Sequence, residues 1–249
     1  MIGELLVAGG LSVGAIVARA KEVDLQIHDL SARVRMTVFV EGRKRERVFD
    51  LSMIREGVNY RAVITLLEPP EMAGTRFLIL AERGKRNRQW VYFPDLDMLR
   101  SIPGRHQDDP FLGSDITYSD LAGGAHLDDL VHRLVGEEEV DGEACYVMEG
   151  IPRHRIVYGK MRGWVRKDNF VTVRGLFLDR EEKPLKEARL TDLREVKGVP
   201  LAHRITMRSL VEDRHTVLLL EAVRVNQGLL PELFRESALK GSSTDESRD

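Results

Sequence analysis

Cysteine is almost absent from this 249-residue chain, which carries Cys145 alone. No disulfide can form within the chain, and the cysteine-based zinc signatures are excluded. Within EACYVMEG, Cys145 reads as a small apolar packing residue rather than a nucleophile. The seven histidines show no HExxH spacing, and His126 and His132, six positions apart, are too loosely placed for a metal pair. No metal and no cofactor is therefore expected.

An excess of one charge is lacking too. The 38 Lys and Arg are set against 40 Asp and Glu, for a net charge of −2, so the clustered basic surplus that nucleic acid calls for is missing. The densest basic run, RKRER at Arg43 to Arg47, follows a turn inside a strand pattern and reads as a solvated strand face. Apolar runs are short. LLVAGGLSVGAIVA, from Leu5 to Ala18, falls below the ~20 apolar residues of a membrane span. An Ala-Arg-Ala follows it, faintly like a cleavage site, but a secretory signal opens with basic residues and the early charge here is Glu4. Gly9 and Gly14 have the spacing of a phosphate loop, with Ala15 where the lysine is needed.

Ser12 can cap a helix that continues through AIVARAKEVDLQIHDL, on which Ile16, Ala20, Val23 and Ile27 recur at three- and four-residue steps. Residues 1–11 stay unassigned between a signal remnant and the start of this helix. The ending KGSSTDESRD is polar and patternless, and a disordered tail is expected over 237–249. Between them, 12–236 read as one domain without internal repeats.

What the sequence has in quantity is period two. From Ala32 onward, Val34, Met36, Val38 and Val40 share one side of a strand while Arg33, Arg35 and Thr37 share the other. Glu41-Gly42, Asp141-Gly142 and Lys197-Gly198 each separate two alternating runs, which is the mark of a tight hairpin. About ten or eleven strands are expected, with helices only at the N-terminus and near Tyr118 to Leu121 or Leu127 to His132. Short turns make antiparallel meanders. The fold class is therefore α+β and β-dominated: one large curved antiparallel sheet with an N-terminal helix and few short helices. Such a sheet must cover its apolar face, and too little helix remains to do so, which leaves room for a hollow that holds an apolar ligand.

Several stretches resemble one family: PPEMAGTRFLIL, QWVYFPDLDMLRSI, DDPFLGSDITYSDL, PLKEARLTDLREVKGVPLAHRITMRSL and the closing HTVLLLEAVRVNQGLLPELF. In this order they are similar to the LolA-like outer-membrane lipoprotein-sorting proteins, in the branch with a G-S-D-x-[ST]-Y-x-D-L signature. One departure is LRSIPG, where the family usually carries a more basic run. The resemblance implies a half-barrel around an apolar hollow. It also implies a non-catalytic, monomeric periplasmic carrier of lipid or of lipoprotein acyl chains, with an envelope membrane protein or transporter as a possible partner. Candidates for the lining are Val34, Met36, Val38, Phe77, Ile79, Trp90, Tyr92 and Met148, each of which would otherwise belong to a closed core. Trp90 and Tyr92 share one face of their strand and Val91 and Phe93 the other, so that strand is expected to be covered on both sides.

The stretch FLGSDITYSDL carries the family signature and two competing chemistries. A hydrolase would use Ser114 as nucleophile, assisted by Asp115 and His126 or His106. The sequence lacks the second glycine of a G-x-S-x-G elbow, and no histidine is tied to the serine by spacing. Alternating calcium ligands with a closing glutamate are missing as well. The simpler reading is a structural corner at the cavity mouth: Gly113 supplies an unusual backbone angle, Ser114 or Asp115 satisfies turn amides, and Phe111, Leu112, Ile116 and Tyr118 anchor the turn, with Asp120 beside them. Two alternatives to the carrier stay open: an accessory protein that hands substrate to a membrane transporter, and a lipid esterase acting through Ser114.

Overall fold

Alternation and tight turns produce a single sheet. The computed structural model of the protein describes residues 10–83, 85, 87–122, 127–154 and 156–240. The expectations for the first nine residues, for His126 and for the last nine residues lie outside the described residues. Helix α1 (Val13–Leu25) comes first, with the Ser12 hydroxyl accepting from the Ala15 amide. On one wing follow β1 (Asp29–Val40), β2 (Arg43–Glu56), β3 (Asn59–Glu68), β4 (Arg76–Ala81), β5 (Arg88–Phe93) and β6 (Met98–Ser101). After the short helix α2 (Tyr118–Leu121) come β7 (Leu130–Val140), β8 (Glu143–Pro152), β9 (Lys160–Arg166), β10 (Thr172–Leu178), β11 (Pro184–Val196), β12 (Val199–Ser209) and β13 (Arg214–Val225). Helix α3 (Glu236–Leu239) closes the described chain.

The thirteen strands form one open antiparallel sheet in the order β6-β5-β4-β3-β2-β1-β13-β12-β11-β10-β9-β8-β7. The first and last strands therefore meet at its centre. The chain walks outward from β1 to one edge, crosses after β6 and resumes with β7 at the opposite edge, from which it walks back. The three expected hairpins form, with positive φ at both central residues: Glu41 and Gly42, Asp141 and Gly142, Lys197 and Gly198. In the basic run, Arg43, Lys44, Arg45 and Glu46 are exposed, as expected of a wet strand face, while Arg47 is half-buried.

Two details differ from the sequence expectation. The N-terminal helix stops at Leu25 rather than running on through His28 to Leu30. Asp29 and Leu30 are taken instead by strand pairing with Ile54 and Met53, and the Asp29 carboxylate accepts from the amides of Gln227 and Gly228 at 2.8 and 2.7 Å. Thirteen strands appear rather than ten or eleven, β6 among them, whose four residues are too few to display a period.

The inner face of the sheet carries α1 and the crossing segment. Around Phe111, Val34, Met36, Val38, Phe77 and Ile79 belong to the largest buried cluster. The Phe111 ring meets Phe77 edge-on with centroids 5.1 Å apart. Farther along, Ile16 of α1 packs on Tyr146, Met148 and Val165. The outer face of the β3–β5 wing is covered by the C-terminal segment, where Phe234 and Leu239 bury Leu78 and Tyr92. No described helix is long and apolar enough to cross a membrane.

Candidate functional site

The segment FLGSDITYSDL is the fastening of the crossing chain to the inner face. Leu112 and Gly113 adopt left-handed backbone, at φ 52° and 75°, and turn the chain sharply. The fully buried Ser114 hydroxyl accepts from the Ile116 amide at 3.1 Å and donates to the Ile116 carbonyl at 3.2 Å. It closes a local turn, and no imidazole is bonded to it among the described residues. His106 is exposed and lies 2.8 Å from Asp109 instead. Phe111 and Ile116 are buried, while Leu112 and Tyr118 pack half-buried against the main core.

Asp115 does not serve turn amides. Its carboxylate, 1% exposed, accepts from Arg214 Nε and from Thr216 Oγ1, both at 2.7 Å on β13. The Asp115 amide donates back to Thr216 Oγ1 at 2.9 Å. Asp120 caps α2 through the Thr117 amide at 2.7 Å, and it pairs with Lys186 Nζ of β11 and accepts from the Tyr158 hydroxyl at 2.7 Å. Burial first, and then the Asp120 carboxylate beside it, push the Tyr158 phenol far above its ordinary value, so it remains a donor. Gln89 of β5 donates to the Tyr118 carbonyl at 2.8 Å. Both wings of the sheet thus hold the crossing segment.

Beside this fastening lies a hollow of about 400 Å³, within the range of small-molecule sites. Its floor follows one cross-strand row of the inner face: Met148 pairs with Gly163, Gly163 with Gly175, Gly175 with Ala188, and Ala188 with Met207. Two adjacent strand-interior glycines leave the space, while Ala188 in the same row is buried in a cluster with Ile116 and Met207. Neither glycine has positive φ, so the backbone does not demand it. A Cβ at Gly163 would come no closer than 3.8 Å to its nearest neighbour, Thr172, and one at Gly175 no closer than 3.5 Å to the Phe177 ring. What these positions supply is absence of a side chain. Met161, Phe177, Leu130 and Val165 add apolar wall, and Asp120, His132 and Arg162 stand among the polar lining residues. Three methionines in one small lining give it adaptable, unbranched surfaces.

Of the eight expected lining residues, Met148 borders this hollow. Val34, Met36, Val38, Phe77 and Ile79 are packed around Phe111 on the same face. Trp90 and Tyr92 sit on the outer face beneath Phe234 and Leu239, while Val91 faces the inner core, so β5 is covered on both sides. Alternation told the two faces of β5 apart without telling which was inner. The floor glycines were open to a sequence reading, since an isolated glycine inside a strand marks close approach of something else. Lys186, Tyr158 and Arg214 carried no such signal, because their partners are 38 to 99 positions away.

A protein-family model described as "Uncharacterized protein" matches residues 59–241. No curated protein matches the chain. Among solved structures, a DUF1329 family protein from Desulfovibrio piger is 25% identical with a TM-score of 0.86, over 91% of this chain and 98% of that one. A candidate outer membrane lipoprotein-sorting protein domain from Vibrio parahaemolyticus gives 22% and 0.85, over 92% and 100%. A LolA superfamily protein from Nitrosomonas europaea gives 19% and 0.73, over 92% and 100%. The family match spans most of the chain and the structural matches nearly all of it: the chain belongs to the family that this model describes, and its fold is LolA-like.

Proposed function

We propose that this protein is a non-catalytic carrier that shelters the acyl chain of a lipid or lipoprotein in the glycine-floored hollow, and that it works in the periplasm. The observation that carries the reading is the pair Gly163 and Gly175, side by side on the inner face with room above them. Burial of apolar surface contributes ~0.8 kcal/mol per methylene. About ten sheltered methylenes contribute ~8 kcal/mol, the scale of a micromolar complex before the costs of association. No catalyst is needed for such binding. The location rests on the likeness to an outer membrane lipoprotein-sorting domain.

Ser114 speaks against the esterase alternative, since its hydroxyl is buried and occupied by Ile116. Transfer to a membrane transporter remains compatible with the same hollow and would add a protein partner. The test is binding of a fluorescent fatty acid to delipidated protein. Gly175→Leu, which fills the floor, is expected to weaken binding at least ~10-fold while the melting temperature holds, and Gly175→Ala to bind nearly as well as the parent. Undiminished binding by a folded Gly175→Leu protein would remove the hollow from the account.

A further inference from the structure

A second cavity of about 410 Å³ adjoins the glycine-floored hollow of about 400 Å³, and Leu127 and Thr172 stand in the walls of both. Val23 of α1, Val58, Phe170 and Leu201 are among the apolar residues that line it. The two chambers match in kind as well as in size. Each sets three charged side chains among a majority of apolar residues: Lys21, Asp24 and Arg55 in the second, Asp120, Glu149 and Arg162 in the first. Neither is therefore the polar end of the other. A methylene takes about the room of a water, whose share of the liquid is ~30 Å³, so each chamber holds about thirteen carbons. That is one acyl chain apiece. Where the chambers meet, the surface is open. Thr172 is exposed, and a Cβ on Gly163 would lie 3.8 Å from the Thr172 methyl, which sets the junction at the edge of the floor.

Resting on the carrier reading above, we propose that the ligand is a lipid with two acyl chains, one in each chamber, whose head stays in solvent at the Thr172 junction. Two like, mainly apolar spaces that part at an exposed threonine match two chains that part from one polar head. One long chain threaded through both would instead carry its middle methylenes past the exposed Thr172 and leave its head at a far end. Joined chains also bind better than separate ones, because the first to enter holds the second at a high effective concentration beside its own chamber. The glycine-floored chamber, with Met148, Met161 and Met207 as adaptable walls, takes the first chain. The chamber of Val23 and Leu201 takes the second.

The test uses the full chain, delipidated, and two probes with the same head and the same number of tail carbons. Dioctanoyl phosphatidylglycerol carries them as two short chains, and hexadecanoyl lysophosphatidylglycerol as one long chain. Gly175→Leu, which fills the first chamber, is expected to weaken both probes. Leu201→Trp, which fills the second, is expected to weaken the two-chain probe at least ~10-fold, the loss of a few sheltered methylenes, and to leave the one-chain probe unchanged. Val23→Trp blocks the same chamber from the α1 side and takes the place of Leu201→Trp if that protein does not melt like the parent. Equal weakening of both probes by the second-chamber variant would mean one chain running through both chambers. Weakening of neither would mean that the second chamber stays empty. Either result overturns the two-chain assignment while the carrier reading stands. Binding of neither probe by the parent overturns both.

Discussion

Asp115 shows how much of this fold depends on single buried carboxylates. It joins the crossing segment to β13 through Arg214 and Thr216, and its side chain is 1% exposed against 24% for Arg214. Removing one partner of a buried ion pair costs about 3–5 kcal/mol. Arg214 keeps some solvent and a second carboxylate, Glu212, at 3.3 Å, so the low end applies. Asp115→Ala is therefore expected to lose about 3 kcal/mol in urea unfolding, and Ser114→Ala less, about 1–2 kcal/mol, because the Ile116 amide loses its acceptor while the Ile116 carbonyl keeps the Phe111 amide. A reversal of that order would contradict the fastening role. Asp29 is the second case. Burial raises its carboxyl, but the amides of Gln227, Gly228 and Leu229, with Lys197, outweigh it and hold the value below the ordinary 3.8. A lowered folded value means that the contribution is complete above the unfolded value and is lost as pH falls through the folded one. Below about pH 4, wild-type stability is expected to fall more steeply than that of Asp29→Asn. Parallel acid limbs in the two unfolding series would contradict it. At this scale the sequence was partly legible. Gly113 and Ser114 announce a turn from their own chemistry, whereas the pairing of Asp115 with Arg214 depends on a contact across 99 positions.

At the scale of elements, the C-terminal segment is the lid of the outer face. Phe234 and Leu239 are each 1% exposed and cover Leu78 and Tyr92, and Arg76 of β4 donates to the Leu239 carbonyl at 3.1 Å. Phe234→Ala is expected to destabilise by about 3–5 kcal/mol, as truncation of a fully buried aromatic does. The melting temperature should drop accordingly and Trp90 fluorescence should shift toward that of a wetter indole. An unchanged melting temperature would mean that the segment does not hold this face. Hairpins at Glu41-Gly42 and its two counterparts were legible because a turn needs only local chemistry. The end of α1 was not, because the helical period runs on through Ile27 and strand pairing at Asp29 overrides it. Nor did alternation say that Trp90 and Tyr92 face outward, since the covering residues lie far later in the chain, at Phe234 and Leu239.

The whole molecule follows from an excess of strand over helix. An open sheet of thirteen strands has more inner face than α1 and residues 102–122 can cover. On the β1–β4 wing Phe111 and its neighbours close the gap. Toward β8–β12 the glycine floor leaves it open as a hollow of about 400 Å³. The resemblance of five sequence stretches and the later structural likeness agree on this architecture, while the location of the hollow within it emerged only from the pairing of Gly163 with Gly175. The measurement that bears most directly on the carrier account is native mass spectrometry of the protein purified without detergent, followed by organic extraction and lipid analysis. The account predicts a bound acyl lipid, at one per chain, that is lost in Gly175→Leu. A protein that emerges bare, and stays bare when offered lipids and acylated peptides, would contradict it.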